Sequence, residues 1–373
     1  MRSSRASQGL PVAGAYARED FKIVIAEPAD DRGFAFGKIR RTGDAVERIA
    51  VTIRIGHHRV YAFIMPAGVA ADFSAMKPGA VRNWSLLFAL VAMWGSAFMF
   101  MKIGVATVAP ASLVAGRLML AAALLYAVMR ARGLTLPPPG KRWLPFAALA
   151  ILGNCLPFYL IAWGQQFIDS ALAGILIAIM PLATLVLAHF FVAGERMTGP
   201  RALGFAIGFA GIVVLMGPAA LTGLGGSPGK AMAQVAVLAG ALCYAANSVL
   251  ARRTIANDFL VASTAVLIIA SALMVPVALV LDAPWTGAPS AGSVAAIVWL
   301  GIGPTALATI LYFQLIAAAG PTFMAIVNYL SPVVALLAGV LLMGEQPGAT
   351  AIAGLVLILL GIALSRRAPL HQA

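Results

Sequence analysis

Between Ser170 and Gly211 the chain carries a set of landmarks that it later repeats. Pro181, the pair Gly194-Glu195, and then Gly204 and Gly211 at nine and sixteen residues past the glutamate return as Pro332, Gly344-Glu345, Gly354 and Gly361. The two glutamates lie 150 residues apart, and the same offset sets Trp94 on Tyr244 and Lys102 on Arg252, with a slip of one residue near the prolines. The repeated unit is made of apolar segments. A duplication of that kind restricts the chain to a membrane protein assembled from two related halves.

From Trp84 onward the apolar runs are 84 to 104, 110 to 130, 143 to 164, 170 to 193, 200 to 217, 231 to 251, 259 to 281, 292 to 314, 321 to 343 and 347 to 365. A helix of about 20 residues crosses the hydrocarbon core of a bilayer. Composition agrees, because 61% hydrophobic and 10% charged residues leave too little polar surface for a water-soluble globule. The expected fold is therefore all-α and integral to the membrane, with ten transmembrane helices in two inverted five-helix repeats. Residues 84–217 form the first repeat, 218–230 the linker, 231–367 the second repeat and 368–373 a tail.

Residues 1–83 differ in kind. They hold eight of the thirteen acids, and Phe21 to Glu27 and Arg48 to Met65 alternate well enough for a hairpin around Gly56-His57-His58. This stretch reads as translation upstream of a start at Met76, with a small appended module as the alternative. His57-His58 has no third ligand placed near it for a metal site.

The net charge of +13 does not point to nucleic acid, since the basic residues of the membrane region sit in short breaks between runs rather than on one face. They fit the positive-inside bias instead. Arg130, Arg132, Lys141, Arg142, Arg196, Arg201, Arg252, Arg253, Arg366 and Arg367 gather on one side when the amino terminus is cytoplasmic, while the other side keeps Lys230 and Lys102. Five helices per half is an odd number, which turns the second half upside down. Cys155 and Cys243 lie inside apolar runs and give neither a disulfide framework nor a metal site.

Prolines interrupt several runs (Pro157, Pro181, Pro276, Pro304, Pro332), each freeing a carbonyl that lipid cannot satisfy. Pro181 and Pro332 recur in both halves, and paired interruptions point to a central site. Arg117 falls near the middle of the second helix, where charge costs on the order of 3 kcal/mol. It either holds a solute anion or bonds helix carbonyls. Asn154, Trp163, Gln165, Gln166, Asn247, Gln314, Asn328 and Tyr329 complete a polar and aromatic set, with Trp94 and Tyr244 as flat walls, suited to an uncharged or zwitterionic solute. Lys102 with Glu345 at the outer face, and Arg252 with Glu195 at the inner face, are candidate gating pairs related by the repeat. No Walker loop, Gly-x-Ser-x-Gly or His-Glu-x-x-His occurs, which argues against an enzyme, an ATP-driven pump or a bound cofactor.

Trp94-Gly95-Ser96 with Phe98 and Lys102, the Pro110 to Arg117 opening, Ala162-Trp163-Gly164-Gln165-Gln166 with Ile168-Asp169-Ser170, and the two Gly-Glu pairs resemble the EamA family of the drug/metabolite transporter superfamily. The resemblance covers Trp84 to Arg367. It implies an inner-membrane carrier with both termini cytoplasmic, moving small metabolites by alternating access around a central cavity. Leu267 stands where the repeat would place a second Arg117, which argues against organic phosphates and nucleotide sugars. The resulting expectation is a secondary carrier exporting amino acids or similar small metabolites, with the solute and the bilayer as its partners. The rivals are an intramembrane enzyme for lipid or isoprenoid substrates, which would need clustered acids or histidines, and a membrane sensor or structural protein without transport.

This topology is directly testable. A tag beside Lys230 should label from the outer face and a tag at the carboxyl terminus from the inner face; labelling of both from one face overturns the inverted arrangement.

Overall fold

Because a bilayer offers the backbone no hydrogen-bond partners, apolar runs of about 20 residues are suited to cross it as helices, whose bonds are all internal. In the computed structural model these runs are helical. The structure describes residues 21–25, 34–41, 48–55, 58–66, 78–138, 140–141, 143–192, 197–216, 228–254, 258–284, 287–324 and 326–366. The chain divides into two units, Met1–Arg82 and Asn83–Ala373.

The first unit corrects the all-α expectation. It holds a four-stranded antiparallel sheet of β1 (Phe21–Ile25), β2 (Phe34–Arg41), β3 (Arg48–Ile55) and β4 (His58–Pro66), in sequential order. The hairpin expected around residue 56 is present as β3 and β4, with Ile55 opposite His58 and a register shift at Thr52/Ile53. β2, over Phe34–Arg41, lies outside the two alternating stretches of the sequence.

The second unit is helical. Seven of its segments are long and apolar enough to span a membrane, and three shorter apolar ones accompany them. In chain order they are α1 (Pro78–Gly104), α2 (Pro110–Ala131), α3 (Trp143–Gly164), α4 (Ser170–Phe191), α5 (Gly199–Met216), α6 (Pro228–Thr254), α7 (Phe259–Leu281), α8 (Ala291–Gly320), α9 (Val327–Met343) and α10 (Ala349–Arg366). Two expected boundaries move. α1 begins before Trp84, and the run expected from 321 divides, since Gly320 (φ 80°) turns the chain and α9 starts only at Val327. The two repeated prolines are also unequal. Pro181 opens the second segment of an α4 broken at residues 178 and 179, whereas Pro332 lies within a continuous α9.

α3 and α8 each contain a π-helical stretch at the repeat offset, Ile151–Cys155 and Gly301–Leu307. Such stretches widen the helix by one residue per turn and release carbonyls from the ordinary ladder. Pro157 and Pro304 lie in or just after them, which accounts for where the ladder gives way.

The recurring glycines meet each other. A Cβ on Gly211 would lie 2.8 Å from the Gly354 carbonyl oxygen, and one on Gly354 would lie 2.8 Å from that of Gly211. A turn or two along, Gly204 and Gly361 face each other in the same reciprocal way. Residue numbers rise on α5 as they fall on α10, so the fifth helix of one repeat runs antiparallel to the fifth of the other. With no driving force from water, small residues that let backbones approach are what hold membrane helices together. Gly204→Ala or Gly361→Ala should therefore destabilise the protein by about 1–3 kcal/mol through overpacking. Thermal unfolding in detergent checks this, with Gly199→Ala as control because open space surrounds Gly199; equal stability of all three variants overturns the contact.

Candidate functional site

Arg117 on α2 is 4% exposed. Its Nε donates to the Thr305 hydroxyl at 2.7 Å, and its Cζ stands 3.7 Å from the centroid of the Phe158 ring on α3. The two Nη groups make no hydrogen bond among the described residues, and no described carboxylate pairs with the side chain. The hydroxyl of Thr305 spends its own proton on the Leu300 carbonyl, five residues back and 2.7 Å away. Toward the arginine it can therefore act only as acceptor. One residue earlier, the Pro304 carbonyl accepts from Trp94 Nε1 at 3.0 Å. Two polar groups of the first repeat thus rest on consecutive residues of the α8 π-segment.

Aromatic rings extend this centre. Trp94 is tilted against Tyr312 with centroids 5.9 Å apart, and Phe158 meets Tyr244 of α6 edge-on at 6.3 Å. The Tyr244 hydroxyl has no hydrogen bond among the described residues. One turn along α6, the Asn247 amide is pressed against Gly153 in the α3 π-segment, and its buried Oδ1 has no hydrogen bond among the described residues. Asn154 belongs to that same π-segment, half-buried and likewise without a hydrogen bond among the described residues. Of the expected set, then, Trp94, Arg117, Tyr244, Asn154 and Asn247 cluster around α3, α6 and α8.

The remaining candidates lie elsewhere. Gln165 is fully buried and donates to the Phe98 carbonyl at 2.9 Å, tying the end of α3 to α1, while Gln166 is exposed. Trp163 stacks at a tilt on Phe167 (5.2 Å) at that same end. Gln314 is exposed, Asn328 is half-buried without a hydrogen bond among the described residues, and Tyr329 donates to the Ile362 carbonyl of α10 at 3.3 Å. Phe158, Thr305 and Pro304's carbonyl were not among the expected site residues. The available signal was Gly153 and Gly303 at the repeat offset, each within four residues of a proline.

The first of the expected gating pairs is not formed in this structure. Lys102 and Glu345 do not pair with each other. Lys102 Nζ donates to the carbonyls of Gln165 (2.8 Å) and Ile168 (2.9 Å), the last backbone acceptors of α3 and its following turn. Glu345 accepts from Ser170 N (2.8 Å), Ser170 Oγ (2.7 Å) and Ala171 N (2.9 Å), capping α4. The reason is electrostatic, since the positive side chain finds a helix C-terminus and the negative one an N-terminus. The geometry of the second Gly-Glu pair accounts for its residues. Gly344 takes the left-handed conformation (φ 68°), Glu345 N closes onto the Gly339 carbonyl (3.0 Å), and the carboxylate leaves α9 toward the opposite repeat. Asp282 at the end of α7 does the same for α2, accepting from Ser112 N at 2.6 Å. At this end Thr107 also bonds Ser290 and Ser293, and Ser293 Oγ bonds the Ile103 carbonyl. Of the second expected pair, Glu195 lies outside the described residues, and for Arg252 only the helical backbone of α6 is described.

Two cavities contrast with the centre. A small one of about 170 Å³ beside Glu345 and Asp169 belongs to the capped end. A larger groove of about 520 Å³ between α1, α8 and α9 is lined by Ala89, Ala92, Trp299, Val334 and Leu337, without a charged group. Neither contains Arg117.

Comparison with known proteins gives the arrangement its family. The model of the EamA-like transporter family matches residues 83–217 and again 231–367. An uncharacterized inner membrane transporter of Escherichia coli (strain K12), YedA, is 29% identical over 267 residues, covering 69% of this chain and 82% of the relative. A probable terminal-alkyne amino-acid exporter of Streptantibioticus cattleyicolor is 29% identical over 293 residues, covering 78% of this chain and 94% of its own length. One solved crystal structure, 22% identical, shares the fold with a TM-score of 0.56 over 76% of this chain and 97% of the other. With both halves matched, the chain belongs to the EamA-like transporter family and is a multi-pass membrane transporter, not an enzyme.

Proposed function

We propose that the protein is a secondary carrier of the inner membrane that exports amino acids or closely similar carboxylate metabolites. It does so by alternating access through ten crossings, with both termini cytoplasmic. The observation that carries this reading is Arg117, a cation 4% exposed at membrane depth whose Nη groups have no described partner. A buried charge without a partner is costly, and an arginine fork matches a carboxylate in two parallel hydrogen bonds. The unbonded Tyr244 hydroxyl and the Asn247 amide beside it supply further donors and acceptors. Aromatic faces suit the apolar part of such a solute and its ammonium group.

The relative named as an amino-acid exporter supports the solute class. The antiparallel pairing of α5 with α10 supports the inverted repeat, and the three shorter apolar helices beside the seven long ones support a count of ten crossings. The ties around Glu345, Asp282 and Thr107 hold the repeats together at the end assigned to the outer face. This conformation thus corresponds to a carrier closed outward.

Purified protein in proteoliposomes, given a pool of common L-amino acids together with a terminal-alkyne amino acid, tests the reading. Losing the charged hydrogen bonds of Arg117, worth about 1.5–3 kcal/mol, should weaken the apparent affinity of Arg117→Ala on the order of 10- to 100-fold. Flux by a folded Arg117→Ala equal to that of the unaltered protein overturns the carboxylate site, and a pool in which nothing moves overturns the carrier.

A further inference from the structure

Arginine side chains carry their charge at the end of a flexible stem, and a bidentate grip on a carboxylate needs the guanidinium plane fixed in advance. Two contacts fix it here. Phe158 covers one face at 3.7 Å from its ring centroid, and Thr305 Oγ1 takes the Nε–H at 2.7 Å. The edge carrying the two Nη groups remains for a ligand. Thr305 is itself 4% exposed and immobilised, because its proton is held by the Leu300 carbonyl at 2.7 Å. That bond reaches five residues back, and the π-helical stretch Gly301–Leu307 is what sets this spacing. The neighbouring Pro304 carbonyl is held by Trp94, so the segment is anchored on both sides of the peptide that presents the hydroxyl.

The duplication provides an internal comparison. At the repeat offset Thr305 corresponds to Cys155 and Arg117 to Leu267. The twin half has the same π-helical stretch but lacks the arginine and the hydroxyl together. In place of that bond, Cys155 Sγ donates to the Ala270 carbonyl across 3.6 Å. The π-segment therefore packs without an Arg–Thr pair, and the pair is present in one half only.

We infer that Thr305 is the positioning residue of the solute site: it orients Arg117 for a carboxylate, and so makes the α8 π-segment of the second repeat part of a site whose cation comes from the first. This rests on the carboxylate reading given above. The hydroxyl touches the arginine and not the solute, so its removal should alter recognition rather than turnover.

The test measures flux of the best-moved amino acid and its competition by the corresponding carboxamide, in proteoliposomes of the full chain. Thr305→Val keeps the shape and removes the acceptor, so it should raise KM about tenfold, the lower end of the cost of one charged hydrogen bond. Maximal flux should stay within about twofold of the parent. Discrimination between the acid and its carboxamide should shrink, and Thr305→Ser should restore both. An unchanged KM in Thr305→Val beside an impaired Arg117→Ala overturns this inference alone. So does a fall in melting temperature and maximal flux at constant KM, which marks a purely structural hydroxyl. A normal Arg117→Ala overturns the inference together with the reading on which it rests.

Discussion

A bilayer gives a helix nothing with which to satisfy its free carbonyls and amides, and this one deficit organises the membrane unit. Several polar side chains that reach across the bundle are matched to backbone released by a helix end or interruption. Lys102 covers the end of α3, Glu345 the start of α4 and Asp282 the start of α2. Trp94 covers a carbonyl that the α8 π-segment leaves available, and Thr305 covers another. In water each such bond would be worth little, since solvent competes for the same groups. For the mid-helix carbonyls of the π-segment the alternative inside hydrocarbon is an unsatisfied group, so the contacts of Trp94 and Thr305 help fix where α8 departs from the ordinary ladder.

Against that background Arg117 is the exception. Its Nε is matched, yet the rest of the fork has no described partner. A structural arginine would be expected to follow the pattern of Lys102 and end on carbonyls. The solute-binding reading of Arg117 proposed above rests on this distribution: its Nε is bonded to Thr305, while its Nη groups have no bond among the described residues.

Much of the fold was legible because membrane constraints write themselves into sequence. Apolar runs of fixed length located the helices, and the glycines Gly204, Gly211, Gly354 and Gly361 marked the closest backbone contact between the repeats. Their spacing of seven residues keeps them on one face of a helix, which is why a repeat of isolated glycines can be read as an interface. The site was legible only in part. Trp94, Arg117 and Tyr244 announced themselves as bulky or charged residues in apolar text. Thr305 did not, since a hydroxyl within a helix ordinarily bonds its own preceding turn and carries no functional signal. The π-segments were equally hidden, because periodicity analysis assumes the α-helical ladder that they violate. Charge pairing misled for a definite reason. Lys102 and Glu345 sit at the same end of the bundle, but helix termini offered each a nearer and better-oriented partner than the other. The strand Phe34–Arg41 was missed because Gly37 interrupts its pattern.

The distribution of bonds between the repeats bears on how such a carrier moves. Alternating access needs one end of the bundle to part while the other closes, and a central site that senses which state it is in. At the Glu345 end the ties are many but individually simple, each a cap that is formed or broken as a unit, so they suit a gate. At the centre the link is different. Arg117 of the first repeat and the α8 π-segment of the second share one hydrogen bond, flanked by Trp94 on the adjacent carbonyl. In the site proposed above, a solute on the Nη edge of the guanidinium would be connected through Thr305 to the π-helical segment of α8. Single π-turns inside α-helices are frequent at functional sites. The second half keeps its own π-turn but no cation. Each repeat thus has its own π-turn, and in the carrier proposed above only that of the second repeat is bonded to the cation assigned to the solute.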